Sequence, residues 1–185
     1  MNRNAFLKSS LTLFSISLLG FTKSFAASFA FSKDKIKVNS PRIEKRISEL
    51  AVFGRKEDGH GYRVAYTPGD IDGRAWFMQQ MKNAGLETSI DTGGNIIGKR
   101  KGKDSSLKPI AFGSHIDMVP DGGNYDGTLG SIGALEVIEV LNENKIVTNH
   151  PLEVIIFANE EGGLVGSSAI VGKLSAEGLR SVSHS

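Results

Sequence analysis

Apolar positions recur along the chain in two different periods, and the alternation between them outlines the fold. In Pro41–Leu50 the residues Ile43, Ile47 and Leu50 return at helical spacing, with Ser40 placed to cap the helix. Pro68 to Ala84 reads as a second amphipathic helix built on Ile71, Ala75, Phe77, Met78 and Met81, closed by Gly85 as its C-cap. Leu86–Ile90 and Asn95–Lys99 then read as a strand pair around the turn Asp91-Thr92-Gly93-Gly94. A short strand is also expected at Arg63–Tyr66. Pro109–Gly113 is expected as a buried strand, and Gly127–Asn144 as a helix with Leu129, Ile132, Leu135, Ile138 and Leu141 on one broad face. Pro151–Ala158 is the most strand-like run of all. Strands alternating with helices predict an α/β layer fold around a largely parallel sheet with flanking helices.

The first 26 residues follow another rule. Arg3 and Lys8 precede the apolar run Leu11–Phe21, and Ser24-Phe25-Ala26 supplies the small residues a signal peptidase reads. The run is too short to span a membrane, so residues 1–26 are expected to be a secretory signal, cleaved near Ala26. Asn2-Arg3-Asn4-Ala5-Phe6-Leu7-Lys8 also resembles a twin-arginine signal in which Asn replaces the second arginine. Export would place the protein in the periplasm or outside the cell, with residues 27–40 as a loose leader and 41–185 as the folded part.

The signal changes the charge balance. It carries Arg3, Lys8 and Lys23 and no acid, so 19 of the 22 basic residues remain against 20 acidic ones. That near-neutral balance gives no footprint for nucleic acid, and after removal of the signal none for a membrane. The chain has no cysteine, which excludes disulfides and thiolate metal sites. Arg100–Lys108 reads as a solvated basic loop.

Chemistry concentrates where two apolar strands end. The first strand runs into "FGSHIDMVPDGGNYDG", residues 112–127, and the second into Asn159-Glu160-Glu161-Gly162. Acids and imidazoles are costly to gather without a positive charge among them. In open α/β sheets ligands bind beyond the carboxyl ends of the strands. His115, Asp126 and the glutamates could therefore meet at one edge and hold divalent ions with nitrogen and oxygen ligands. The His-x-Asp spacing puts His115 and Asp117 on the same side of an extended segment, so that Asp117 can take the second ring N–H of His115. Of Glu160 and Glu161, one can bind metal while the other takes a proton from the attacking water. Gly122, Gly123 and Gly127 let the loop curl to bring Asp126 in. Taken singly, Asp126 could equally be a helix N-cap, the glutamates solvated loop charges and His115 a core histidine. Asp121 reads as a turn residue after Pro120, and His60, His150 and His184 have no constellation around them.

The stretches "GSHIDMVPDGGNYDGTLGSIGALEVIEVL" and "HPLEVIIFANEEGG", joined by "YTPGDIDGRAWFMQQMKNAGLETSIDTGGNIIGKRKG", resemble the dinuclear-zinc amidohydrolase and peptidase family of aminoacylase and the glutamate-releasing zinc carboxypeptidases. The nearest branch is that of the N-carbamoyl-L-amino-acid hydrolases, β-ureidopropionases and allantoate amidohydrolases, and the resemblance runs from Pro41 to Leu179. It implies hydrolysis of a linear amide or carbamoyl C–N bond in a small-molecule substrate with two divalent ions, zinc first and manganese or cobalt as alternatives. By that resemblance His115 binds the first metal, Asp126 bridges both, Glu161 binds the second, Glu160 is the general base and Asp117 orients His115. Family members continue well beyond this length, supplying two further histidine ligands and a lid or dimerisation domain, and form homodimers. The chain is therefore expected to represent the N-terminal part of such a catalytic domain, without the lid. The alternatives are an exopeptidase or dipeptidase of the same family, a non-catalytic remnant, and an exported binding protein.

Overall fold

A computed structural model describes residues 36–177, almost all of them in the second of two units, Val38–Ser185. The expected signal and its cleavage site lie outside the described residues, as does His184. The elements run α1 (Ser40–Leu50), α2 (Pro68–Asn83), β1 (Glu87–Ile90), β2 (Ile96–Arg100), β3 (Ile110–His115), α3 (Thr128–Glu143), β4 (Leu152–Phe157), α4 (Glu160–Gly163) and α5 (Val165–Ile170). No helix among the described residues is long and apolar enough to cross a membrane.

The four strands of the described sheet lie in the order β1-β2-β4-β3. β1 pairs with β2 and β2 with β4 antiparallel, and only β3 pairs with β4 in parallel. The sheet is thus mixed rather than largely parallel. Connection length explains the difference. A parallel pair needs a crossover of a dozen or more residues, usually a helix. The turn between β1 and β2 is far too short for one, whereas the segment between β3 and β4 carries α3.

Strand position corrects one further expectation. The most strand-like run forms β4, which lies between β2 and β3 with Val154 and Ile156 fully buried. The described sheet has β1 and β3 at its edges, and β3, expected to be buried, leaves Ile110 52% exposed. Arg63–Tyr66 is not a strand; its neighbourhood holds only the isolated bridges Arg55↔Gly61 and Gly61↔Gly122.

The core forms where α1, α2 and α3 lay their apolar residues on the sheet, with Leu50, Phe77, Met81, Ile96, Ile116, Ile132, Leu135 and Ile138 shut off from solvent. In α2 the buried face is Asp70, Gly73, Phe77 and Met81, while the expected Ile71 and Ala75 face out. The end of α2 is a Schellman cap: Leu86 N–H donates to Met81 O, Gly85 N–H to Lys82 O, and Gly85 takes φ +80°. The start of α1 is capped by Asn39, not Ser40. Its side-chain oxygen accepts the Arg42 N–H at 3.1 Å.

An ion-pair network docks α1 on α3. Arg42 meets Glu136 through two hydrogen bonds, Nε to Oε2 at 2.7 Å and Nη2 to Oε1 at 2.9 Å, and also reaches Glu143. Arg46 grips Glu139. Glu136 is 2% exposed and also accepts Asn39 N–H at 2.8 Å. Burial pushes its carboxyl up, but the Arg42 and Asn39 hydrogen bonds outweigh burial and hold it below the usual carboxylate range. A group with a depressed folded pKa contributes stability above its unfolded pKa and loses it as pH falls through the folded value. Glu136→Gln should therefore cost about 1–3 kcal/mol at neutral pH, because a neutral amide replaces the carboxylate that accepts from Arg42 and Asn39, while Arg42 keeps Glu139 and Glu143. The cost should shrink in acid, below the ordinary glutamate range. Urea unfolding at neutral pH and in acid checks both the size and the trend.

Candidate active site

The parallel pairing of β3 with β4 is what builds the site. Its register sets His115 opposite Phe157, so both strands end at one edge of the sheet. His115 closes β3 as the last strand residue, and Glu160 and Glu161 open the short helix α4 just beyond β4. Their turn is reached through Asn159 in the left-handed region at φ 47°, a conformation asparagine adopts more readily than most residues.

His115 is 7% exposed and held on several sides. Its Nδ1 lies 3.0 Å from the Asp117 carbonyl oxygen and 3.6 Å from the Asp117 carboxylate. The orienting partner is therefore first the backbone of Asp117 and only second its side chain. Nε2 points the other way, 3.5 Å from a carboxylate oxygen of Glu160. Ser131, in the first turn of α3, donates its hydroxyl to the His115 carbonyl at 2.8 Å. Beneath the ring sits Gly127, at φ +59°, where any Cβ would collide with the imidazole. Burial alone would lower the His115 pKa, but the neighbouring Asp117 and Glu160 outweigh it and push the imidazole up to about 9.

Asp117 ties the two strand ends together. It is 3% exposed, and its Oδ2 accepts the Glu161 N–H at 3.1 Å. Its other carboxylate oxygen is buried without a hydrogen bond. Burial raises the Glu161 pKa, His115 opposes that rise, and the negative charges of Asp126, Glu160 and Asp117 add to it.

The structure thus gathers His115, Asp117, Glu160 and Glu161. Asp126 stands next to Gly127 under the imidazole and is exposed. It does not serve as the N-cap of α3: that position belongs to Gly127, with no side-chain cap. Among the described residues no three His, Asp or Glu side chains stand close enough to hold one ion, so His115, Asp126 and Glu161 are not drawn into a three-ligand group. Asp121 is a turn residue as expected, at φ 58°, and pairs with Lys56 at 3.1 Å. His150 contacts the Lys108 carbonyl in a loop, and His60 lies at the surface 4.0 Å from Asp121.

One residue that the sequence pattern did not single out lies behind the site. Arg63 is 1% exposed. It donates from Nε to Ile116 O at 2.6 Å, from Nη1 to Leu50 O and Phe53 O at 3.0 and 3.1 Å, and from Nη2 to the Thr128 hydroxyl at 3.4 Å. It thereby joins the end of α1, the segment between His115 and Asp117, and the start of α3. Burial lowers its pKa to about 10, against the opposing pull of Asp70 and Asp117. The backbone follows the same path, Met118 N–H donating to Arg63 O and Asp121 N–H to Gly61 O. A lone arginine beside an apolar run carries no sequence signal for such a role, because its partners are carbonyls.

Comparison with known proteins bears directly on these residues. Residues 95–182 match the model of Peptidase family M28. Over 79% of its length the chain is 42% identical to an N-carbamoyl-L-amino-acid amidohydrolase of Paenarthrobacter aurescens, of which it covers 36%. It is 37% identical over 76% of its length to a ureidoglycolate hydrolase of Arabidopsis thaliana, covering 30% of that protein. A hydantoinase/carbamoylase family amidase from Burkholderia ambifaria superimposes with a TM-score of 0.74 at 35% identity, over 78% of this chain and 37% of that one. The chain spans about a third of the length of these relatives. Within that span, the chain is similar in sequence to the N-carbamoyl-L-amino-acid amidohydrolases and ureidoglycolate hydrolases, and in fold to a hydantoinase/carbamoylase family amidase.

Proposed function

We propose that the chain carries part of the catalytic centre of a metal-dependent hydrolase that cleaves a linear amide or carbamoyl C–N bond, as in an N-carbamoyl amino acid or ureido acid. The observation that carries this reading is the convergence of His115, Asp117, Glu160 and Glu161 where two parallel strands end. The names of the relatives supply the substrate class.

The donors suit a hard-to-borderline divalent cation: one imidazole, several carboxylates and no thiolate. The Glu161 carboxyl, raised first by burial and further by Asp126, Glu160 and Asp117, fits as well, since a bound cation would favour its charged form. His115, Asp126 and Glu161 are the residues that would each supply a ligand to divalent cations bound here, zinc being the first choice. Such an ion would act as a Lewis acid on the substrate carbonyl. Glu160 takes the proton of the attacking water and returns it to the leaving nitrogen. Asp117 keeps the His115 ring turned through its carbonyl, and keeps the α4 turn in register through its carboxylate.

Dipeptide hydrolysis is the second reading, favoured by the Peptidase family M28 match over 95–182. Two measurements decide. Cobalt(II) titration of the 185-residue chain should give a d–d absorption band that His115→Ala abolishes. Extended to the length of its relatives, the protein should release the amino acid from N-carbamoyl substrates faster than from dipeptides. The reverse preference selects the peptidase, and no cobalt band removes the metal centre from the reading.

A further inference from the structure

Two residues before Glu160, the backbone is held by a side chain that lies 63 positions earlier in the chain. Asn95 is 0% exposed and sits at the start of β2. Because β2 runs antiparallel to β4, with Ile96 opposite Ile156, the start of β2 and the end of β4 lie at the same edge of the sheet. Asn95 Oδ1 accepts the Ala158 N–H at 3.0 Å. Its Nδ2 donates to the Gly166 carbonyl at 3.0 Å and to Asp91 Oδ2 at 2.9 Å. Only this orientation of the amide matches donor to acceptor at all three partners.

The rest of the turn fixes Asn95 in place. Asp91 Oδ1 accepts the N–H groups of Gly93 and Asn95 at 2.9 and 2.8 Å. Arg74 binds the Gly94 carbonyl from α2. On the other side, Gly166 N–H donates to Ala158 O at 2.9 Å and Val165 N–H to Asn159 O at 3.3 Å. Both backbone groups of Ala158 and the carbonyl of Asn159 are therefore committed before the chain reaches Glu160. Space is equally committed. A Cβ at Gly166 would collide with Asn95 Oδ1, and one at Gly93 would lie 2.6 Å from Ala169 Cβ.

We infer that Asn95, braced by Asp91, is a positioning residue that sets where Glu160 and Glu161 stand. The inference rests on the reading of those glutamates as functional. Carboxamide chemistry is essential to it. Aspartate at 95 would set a second carboxylate against Asp91, and alanine would strand the Ala158 N–H and the Gly166 carbonyl in a dry interior.

The test uses the full 185-residue chain with Asn95→Ala, Asn95→Asp and Gly166→Ala; the last displaces Asn95 without altering it. Ile138→Val, in the core of α3, is the control for a purely structural loss. Amide hydrogen exchange is read residue by residue. In the three site variants, the amides of Ala158 to Glu161 should exchange at least about tenfold faster, while β3 and α3 keep their rates, as expected of local opening. Cobalt(II) affinity should fall about 10–100-fold, the usual effect of losing a residue that orients ligands. Ile138→Val should produce neither effect. Exchange that rises evenly across the chain, as with a loss of global stability, overturns the inference. Unchanged rates at residues 158–161 in any variant that folds overturn it too. If the parent chain takes up no cobalt, the metal reading falls, and the exchange pattern alone decides the role of Asn95.

Discussion

Glu160→Gln should lower turnover about 10²–10⁴-fold, the span ascribed to loss of a general base, in the protein extended to the length of its relatives. The amide keeps the shape of the carboxylate and can still orient water, but it cannot take a proton. Glu160 Oε2 lies 3.5 Å from His115 Nε2 with 34% of the side chain exposed, so the group stands at the mouth of the site. Glu161 is held differently, its N–H tied to Asp117 and its carboxyl raised first by burial. The variant should therefore retain its metal, measured by elemental analysis of the purified protein, while kcat falls and KM changes little. Near-normal turnover would move the base to Glu161. Loss of metal together with turnover would make Glu160 a ligand.

Arg63→Met should destabilise the fold severely. The methionine fills part of the volume but leaves the carbonyls of Leu50, Phe53 and Ile116 without their donor. A stranded buried polar group costs about 1–3 kcal/mol. With partial relaxation the total should reach about 3–5 kcal/mol, a large share of the roughly 5–15 kcal/mol by which a domain is stable. Arg63→Lys should recover only a fraction, since a single ammonium cannot span three separated carbonyls as a planar fork does. Urea midpoints of the two variants and the parent check the order. Equal stability of Arg63→Met and the parent would show that those carbonyls find other donors. The same substitution should loosen the segment between His115 and Asp117, because the bond to Ile116 O is the shortest that Arg63 makes.

The periodic parts of the chain were legible in the sequence. α1, α2, α3, the β1–β2 pair and β4 lie within a residue or two of their expected spans, since each carries its own apolar repeat and its own stop signal. Gly85 ends α2 as expected, because a left-handed cap is a local event that glycine meets without strain. Errors arose where a residue's fate depended on a distant neighbour. Ile71 faces solvent because Asp70 and Gly73, not Ile71, turn toward Arg63 and the end of α1. The His-x-Asp and Glu-Glu pairs announced a site, but the sequence could not say that the backbone of Asp117, rather than its carboxylate, stands closest to the imidazole.

By itself the sequence determined α1, α2, α3, the β1–β2 pair and β4, the absence of thiolate chemistry and the residue types of the site, because these follow from local periodicity and from side-chain identity. Only the tertiary structure decided that β4 is central and β3 an edge, since strand order depends on which connections can cross over. Tertiary packing likewise made Arg63 and Asn95 matter. Each is polar and wholly buried, and each satisfies backbone groups far away in the chain. Such hydrogen bonds leave no periodic trace, because a buried carbonyl or N–H is the same whichever residue carries it.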